Sequence, residues 1–151
     1  MKIEGEQSLP LPPQAAWELL LDTQVLARAM PGCESLVPAS PDEYDMKMKL
    51  AVSSISGLFS GKVRIADKIP PTSYRLYIEG QGKLGIVRGS GLLTLSAQSD
   101  GTLLQYQGEV QIGGLLASVG ERMLDMTTKM MIRRFFSRLV EEAGALGLAG
   151  C

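Results

Sequence analysis

The chain offers few side chains of the types and spacing that catalytic or metal sites require. It contains no histidine, and this absence excludes His-based triads, histidine metal ligands and the commonest general base near neutral pH. Its two cysteines, Cys33 and Cys151, are too few for a disulfide framework or a cysteine metal site. A nucleophilic Cys33 would need a neighbouring cation or base, so a buried structural thiol is the better interpretation. We therefore expect no catalytic residue, no metal and no cofactor.

A cluster of glycines invites a second chemical interpretation. It consists of Gly80, Gly82, Gly85, Gly89 and Gly91. A phosphate-cradling loop needs a strand before it and a helix after it, whereas the segments on both sides of this cluster alternate as strands do. Glycines inside strands mark bulges, sharp bends or the close approach of another group. We therefore expect a strand that is broken at Gly89 and Gly91, and no nucleotide site.

Composition limits the kind of protein that must position these residues. The 151 residues, 45% apolar and 21% charged, fit one folded domain with a sizeable core. The net charge is −1 and the basic residues are scattered, which gives no footprint for nucleic acid. No apolar run approaches the roughly 20 residues that span a bilayer, and no signal peptide opens the chain. These features predict a cytoplasmic location.

Most of the chain alternates between apolar and polar residues, as half-buried strands do. The alternating segments cover residues 2–9, 44–52, 58–66, 73–80, 86–96 and 103–112. Two short helices follow the first segment. One lies around Ala16 to Leu21, after the prolines that end the strand, and the other runs from Gln24 to Ala29, capped by Asp22 or Thr23. Short turns between successive strands indicate an antiparallel meander.

A proline-free stretch from Leu115 to Ala143 follows Gly113-Gly114 and predicts one long helix. An early apolar stripe recurs every three or four residues and should lie over the sheet: Leu116, Val119, Met123, Met126 and Met130. A later apolar set has rotated to another side, which is free for the short helices, a partner or a membrane: Ile132, Phe135, Phe136, Leu139 and Val140. We predict a single α+β domain over residues 1–143 and a short flexible tail over 144–151. In this domain a curved antiparallel sheet wraps around the long helix, and the two short helices close one end.

A bent sheet that grips a helix leaves space between them, and an apolar pocket is the default ligand site in such a domain. The candidate lining residues are apolar and should face inward: Met46, Met48, Phe59, Val63, Leu76, Ile78, Leu93, Tyr106, Met123, Met126 and Met130. The alternative is that these side chains fill the interior completely, as close packing demands. Arg64, Arg88 and Glu109 could add polar contacts, although strand alternation predicts that Arg64 and Glu109 face water.

The order of motifs along the chain resembles a known family. The matching residues are Pro10 to Trp17, Leu20, Asp22, Leu26, Met30-Pro31-Gly32-Cys33-Glu34, Gly57–Val63, Pro71–Tyr74, the glycine-rich 80–91 segment, Gly101-Thr102 and Gly113-Gly114 to Gly120. In these residues the chain resembles the CoxG family of carbon monoxide dehydrogenase subunits, which belongs to the START-like (SRPBCC) helix-grip superfamily. The resemblance implies a helix-grip fold of about seven strands.

The resemblance also implies a function. Such proteins are accessory to molybdenum-hydroxylase-type dehydrogenases and do not catalyse their reaction. Proposed roles are recruiting the dehydrogenase to the membrane and binding a lipophilic molecule, a lipid or an isoprenoid quinone, in the helix-grip cavity. Longer members carry an apolar or amphipathic tail after the long helix, whereas Gly144–Cys151 is too short and too rich in glycine to anchor stably. We therefore expect at most peripheral contact with the inner face of the membrane, and a homodimer is left open.

Two other functions compete with this one. An enzyme acting on an apolar substrate would need ionisable groups inside the pocket, and Tyr44, Tyr74 or Tyr106 could supply them. A protein-docking module would use the late apolar set of the long helix as its contact surface. Because nearly all charged residues alternate outward, we favour a non-catalytic carrier of a hydrophobic ligand.

Overall fold

The computed structural model describes residues 1–52 and 55–149 as a seven-stranded antiparallel sheet around one long helix. The strands are β1 (Lys2–Leu9), β2 (Cys33–Ser40), β3 (Glu43–Val52), β4 (Ile55–Ile69), β5 (Ser73–Gly82), β6 (Gly85–Gln98) and β7 (Gly101–Gly113). The helices are α1 (Pro13–Leu20), α2 (Thr23–Ala29), a short 3-10 helix (Leu115–Val119) and α3 (Glu121–Ala149). The strand order is β1-β7-β6-β5-β4-β3-β2. The predicted helix-grip fold is confirmed, and each predicted strand lies inside an observed one.

Local sequence explains the two short helices. Pro13 stands at the first position of α1, where the missing backbone N–H costs nothing. Asp22 caps α2, because one of its carboxylate oxygens accepts hydrogen bonds from the backbone N–H groups of Gln24 (3.0 Å) and Val25 (3.3 Å). The cap is therefore Asp22 and not Thr23. These helices sit against one end of the sheet, where they pack into the core.

Strand β2 has no counterpart among the predicted segments, although about seven strands were expected. Its burial does not alternate cleanly, since only Leu36 is fully buried. Its pairing with β3 shifts register twice, between Cys33 and Ser35 and between Pro38 and Ser40. Proline is tolerated in edge strands, and β2 is an edge strand of this sheet. Irregular pairing at an edge therefore explains why alternation did not reveal it.

Strand β6 contradicts the expected break at Gly89 and Gly91. It runs continuously from Gly85 to Gln98, and its pairing with β5 and β7 keeps one register throughout. A register shift occurs instead in the pairing of β4 with β5, between Ala66 and Ile69. Glycines in the sheet allow close approach of neighbouring backbones: a Cβ at Gly108 would collide with the carbonyl oxygen of Ser90.

The long helix begins later than predicted and has a different phase. Residues Leu115–Val119 form a 3-10 helix, Gly120 follows with φ +94°, and α3 starts at Glu121 and continues past Ala143 to Ala149. The positive φ of Gly120 separates the 3-10 helix from α3, so residues before and after it do not follow one helical period. Leu116 faces the core, but the methionines spaced three or four residues further along do not. Leu124 is buried at 8% exposure, whereas Met126 is 59% exposed. The predicted orientation of the methionines toward the sheet is wrong for this reason.

The late apolar set of α3 belongs to the core. Phe136 and Leu139 are buried among residues of α1 and the sheet, and Ile132, Phe135 and Val140 pack against the same cluster. A docking module built on these side chains is therefore excluded, because they already contact the rest of the domain.

The core consists of three separate clusters. The α1 cluster lies at the end closed by the short helices and includes Leu9, Trp17, Tyr74, Leu95, Leu104, Phe136 and Leu139. The β2 cluster contains Leu36, Met46, Met48 and Val63. The tip cluster, at the other end of α3, contains Val52, Phe59, Leu116 and Leu124. The division of the core into clusters leaves part of the inner face of the sheet outside all three.

Candidate functional site

The inner face of β6 and β7 carries small residues midway between the α1 cluster and the tip cluster. On β6, Leu93 packs against the α1 cluster and Val87 packs against the tip cluster. On β7, Tyr106 packs against the α1 cluster and Ile112 packs against the tip cluster. The inward-facing positions between them hold Gly89, Gly91, Gly108 and Val110. Three of these four positions have no side chain, and all four remain partly exposed. We call this region the core gap.

Gly89 creates room in the core gap without being required by the backbone. A Cβ at this position would meet nothing closer than the backbone oxygen of Glu109 at 3.7 Å, which is an ordinary contact. Gly108 is different, since a Cβ there would meet the carbonyl oxygen of Ser90. The strand would therefore accept a larger residue at position 89, and glycine there leaves space that a side chain would otherwise fill.

Helix α3 turns one face toward the sheet across the core gap. Leu124, Thr128, Met131 and Phe135 recur at spacings of four, three and four residues, as one helical face does. Leu124 belongs to the tip cluster, Met131 packs against the β2 cluster and Phe135 packs against the α1 cluster. Thr128 lies between them and is half-buried. The helical wall of the core gap is therefore apolar apart from one hydroxyl group.

A groove of about 450 Å³ opens between α3 and the β1–β7 edge of the sheet. We call it the edge groove, and its lining residues are Glu6, Gln7, Tyr106, Ile132, Arg133, Phe136, Ser137, Val140 and Glu141. Tyr106 is one inward-facing position from Gly108, so the edge groove adjoins the core gap. The rings of Tyr106 and Phe136 stack with centroids 5.2 Å apart. The arrangement offers an aromatic floor with a polar rim.

The rim of the edge groove carries both signs of charge and neutral hydrogen-bonding groups. Arg133 contributes a cation, Glu6 and Glu141 contribute carboxylates, and Gln7 and Ser137 contribute an amide and a hydroxyl. Burial raises the pKa of Tyr106, so its phenol stays neutral near physiological pH and can donate a hydrogen bond. Such a site suits a molecule with an apolar body and a small polar end.

Four of the eleven predicted lining residues fill the core. Met46, Met48 and Val63 form most of the β2 cluster, and Phe59 is 2% exposed in the tip cluster. These four side chains fill the interior, as the alternative of a closely packed core requires. Leu76, Ile78 and Leu93 are half-buried on the inner face. Tyr106 lies in the edge groove.

Three of the four methionines of α3, Met123, Met126 and Met130, lie away from the sheet. Met123 and Met126 are exposed, and Met130 is half-buried, on the same helical face four residues after Met126. They do not line the core gap, because the helix phase set by Gly120 places Leu124 and Met131 inward instead.

Arg64, Arg88 and Glu109 lie on the outer face of the sheet, which confirms the prediction that Arg64 and Glu109 face water. They line an outer groove of about 440 Å³. The Arg64 guanidinium carbon lies 4.3 Å from the centroid of the Tyr77 ring, and Arg88 lies 4.0 Å from Glu79. Cross-strand pairing of opposite charges stabilises a sheet register, which explains the position of Arg88 beside Glu79.

Two further candidates for chemistry, Tyr74 and Cys33, have raised pKa values. Burial raises the pKa of Tyr74, with a smaller contribution from Tyr44, and the Tyr74 ring meets Trp17 edge-to-face at 5.5 Å. Burial also raises the pKa of the Cys33 thiol, which donates a hydrogen bond to the carbonyl oxygen of Ser35. A raised pKa disfavours the thiolate that nucleophilic catalysis needs. Cys151 lies outside the described residues.

Two further properties of the described ranges bear on the class of protein. Residues 1–52 and 55–149 bring together no group of three or more Cys, Asp or Glu side chains that could hold a metal ion. None of the helices in these ranges is long and apolar enough to cross a membrane.

Comparison with known proteins identifies the family. The sequence profile of CoxG, a subunit of carbon monoxide dehydrogenase, matches residues 5–144. The chain belongs to the CoxG family. No curated protein sequence matches it significantly.

Solved structures similar to this CoxG-family chain share its fold. A conserved protein from Geobacillus kaustophilus is 27% identical, with a TM-score of 0.91 and 96% of each chain covered. The Zhui aromatase/cyclase from Streptomyces sp. R1128 is 13% identical, with a TM-score of 0.66, and the match covers 95% of this chain and 93% of that one. Ara h 8.0201 is 14% identical, with a TM-score of 0.65 and coverage of 96% and 98%. The last two similarities show the fold alone.

Sequence reasoning missed two components of the site in this CoxG-family chain. The first is the core gap, because glycines on an inner face leave no hydrophobic signal. The second is Phe136, which was placed on a free face of the helix although it forms half of the aromatic floor. Its pairing with Tyr106 joins residues thirty positions apart in sequence, and no local pattern encodes such a contact.

Proposed function

We propose that this CoxG-family protein is a non-catalytic carrier that holds a lipophilic molecule between α3 and the inner face of the sheet. This proposal rests on the core gap, where the core is interrupted at Gly89, Gly91, Gly108 and Val110. The core gap lies directly beside the edge groove. An apolar chain in the core gap would complete a core that the protein's own side chains leave divided. The polar end of the molecule would remain at the rim of the edge groove.

The ligand that fits this arrangement best is an isoprenoid quinone or a similar lipid. A planar ring can stack on Tyr106 and Phe136, and its oxygen atoms can accept hydrogen bonds from Tyr106, Gln7 or Ser137. The flexible apolar chain would pass over Gly108 and Gly89 toward the tip cluster. Membership of a family described as a subunit of carbon monoxide dehydrogenase supports an accessory role beside a molybdenum-hydroxylase-type dehydrogenase, in the cytoplasm or at the inner face of the membrane.

Native mass spectrometry of gently purified protein, followed by organic extraction, tests the carrier function. We expect about one lipophilic molecule per chain, and we expect Gly89→Val to reduce its occupancy by filling the core gap. Ser90→Val is the matched control, because it adds the same side chain to the outer face at the next position of β6. An empty wild-type protein that takes up no added quinone or fatty acid would overturn the proposal, as would equal occupancy in Gly89→Val and wild type.

A further inference from the structure

The core gap begins and ends at the same level on β6 and β7. Leu93 is paired with Tyr106 at one end, and Val87 is paired with Ile112 at the other. The pairs between these ends leave the inner face almost without side chains: Gly91 with Gly108 and Gly89 with Val110. The register of the two strands therefore gives the core gap a defined length.

The two ends differ in what lies beyond them. Beyond Tyr106 is the edge groove, which opens between α3 and the β1–β7 edge and has a polar rim. Beyond Val87 and Ile112 is the tip cluster, in which Phe59 and Leu116 are buried. An alkyl chain cannot advance into this cluster without displacing packed side chains. The core gap therefore has an open end at Tyr106 and a closed end at Ile112.

The core gap also has two side walls. On β5, Leu76 and Ile78 are the partners of its glycines on β6, and both pack against the β2 cluster. On β1, Ile3 is the partner of Gly108. These walls lie three strand spacings apart, about 14 Å, and an alkyl chain must stay about 4 Å from the atoms of each. The remaining width admits one extended chain, which must therefore run along the strands.

The length of the core gap follows from the geometry of its strands. Ile112 follows Tyr106 by six residues on β7, which corresponds to about 20 Å at about 3.4 Å per residue. Helix α3 agrees, since Leu124 in the tip cluster and Phe135 beside the α1 cluster are about 17 Å apart along the helix axis. A terminal methyl group stays about 4 Å from Ile112. About 16 Å therefore remains for an alkyl chain that starts at the Tyr106 ring.

We propose that the core gap limits the ligand to an alkyl chain of about 13 main-chain carbons, which corresponds to about three isoprene units. Carbon–carbon bonds of about 1.5 Å, at angles of about 111°, advance an extended chain by about 1.25 Å per carbon. The inference rests on the proposed function, because it specifies the size of the lipophilic molecule that the carrier holds. Any further carbons would remain in water, where they add nothing to the affinity.

Calorimetric titration with saturated fatty acids of about 6 to 18 carbons tests the length limit, with each acid kept below its micelle concentration. We expect the affinity to rise about fourfold with each added methylene group that is buried. The rise should stop at about 13 carbons, where the chain reaches the closed end. Arg133 on the rim of the edge groove offers a cation to the carboxylate of every acid, so the acids differ only in their chains.

Two substitutions should move the length limit in opposite directions. Ile112→Ala removes side-chain atoms from the closed end and should raise the limit by about two carbons. Gly89→Val adds a side chain where a Cβ meets nothing closer than 3.7 Å, and it should lower the limit to about 8 carbons. Gln111→Ala and Ser90→Val are the matched controls, because they change the neighbouring residues that face outward. Both controls should keep the wild-type limit.

Two results would overturn the length limit: a wild-type affinity that rises through the longest acid, and a limit that stays at the same length in the variants. Where Ile112→Ala fails to fold, Gly89→Val alone decides, since it leaves the tip cluster intact. The two proposals fail in different ways. Fatty acids that bind without any length limit overturn this inference and leave the carrier function standing. A protein that binds no acid of any length, and from which no lipophilic molecule is extracted, overturns the carrier function and the length limit together.

Discussion

Tyr106 of β7 and Phe136 of α3 stack with their ring centroids 5.2 Å apart and their planes inclined by 27°. The first strand completes this arrangement, because a Cβ at Gly5 would collide with the Tyr106 hydroxyl. The sheet, its edge strand and the long helix therefore meet at one aromatic pair. The pair belongs both to the core of the domain and to the floor of the edge groove.

Removing the Phe136 ring should destabilise the fold. We expect Phe136→Ala to lower the free energy of unfolding by about 3–5 kcal/mol, because a buried aromatic side chain is lost and a cavity remains. Urea denaturation followed by circular dichroism measures the change. Met126→Ala in the same helix is the control and should change the free energy by less than about 0.5 kcal/mol, as exposed positions do. A fully stable Phe136→Ala variant would show that this face of α3 is not core.

The phase of α3 is tested at two neighbouring residues. Leu124→Ala should cost about 2–5 kcal/mol of the free energy of unfolding, since Leu124 is buried in the tip cluster. Met123→Ala should cost much less, because Met123 is more than a third exposed. The stripe predicted from sequence requires the opposite order. Denaturation midpoints of the two variants, compared at equal slope, decide between the two phases.

The sequence predicted six of the seven strands, because these strands alternate between apolar and polar residues with a period of two. It missed β2, whose burial does not alternate cleanly. The position of Asp22 before an apolar helical segment predicted its cap. The phase of α3 could not be predicted, since it depends on the backbone dihedral angle of Gly120. A change of helix phase at a single glycine is not visible in the sequence when apolar residues recur every three or four positions on both sides of it, as Leu116, Val119, Met123 and Met126 do.

The candidate site was predicted less well than the fold for a physical reason. Inward-facing apolar residues either line a space or fill the core, and residue type does not distinguish the two outcomes. Met46 and Phe59 were placed in a pocket but pack into clusters. The space lies where side chains are missing, at Gly89 and Gly108, and is defined only when the three clusters are located around it.

Two of the three glycines of the core gap, Gly89 and Gly108, should respond differently to the same substitution. Gly108→Ala should destabilise the protein by about 1–3 kcal/mol, because its Cβ meets the backbone of β6 and the sheet must move. Gly89→Ala should be neutral or stabilise the protein by about 0.5–1 kcal/mol, since alanine reduces the entropy of the unfolded chain and contacts nothing closer than 3.7 Å. Thermal denaturation of both variants measures the difference. Equal destabilisation would mean that Gly89 is also required by the backbone.

The ion pair between Arg28 and Glu142 should make stability depend on pH. Arg28 joins α2 to α3 through two hydrogen bonds, from Nε to Oε1 at 2.9 Å and from Nη2 to Oε2 at 3.1 Å. The hydrogen bond from Arg28, together with its charge, lowers the pKa of Glu142. The folded protein therefore binds the proton of Glu142 less readily than the unfolded chain does. The stabilisation is fully present above the ordinary glutamate pKa and is lost as the pH falls through the lowered value.

Comparison of wild type with Glu142→Gln across pH isolates this contribution. The wild type should be more stable at neutral pH, and the two proteins should converge in acid, where Glu142 becomes protonated and the pair is lost. High salt should reduce the difference at neutral pH, because both side chains are partly exposed. Glu141→Gln, at the adjacent residue, serves as the control, since Glu141 forms no ion pair among the described residues. A difference between wild type and Glu142→Gln that persists unchanged in acid would assign the stabilisation to packing and not to charge.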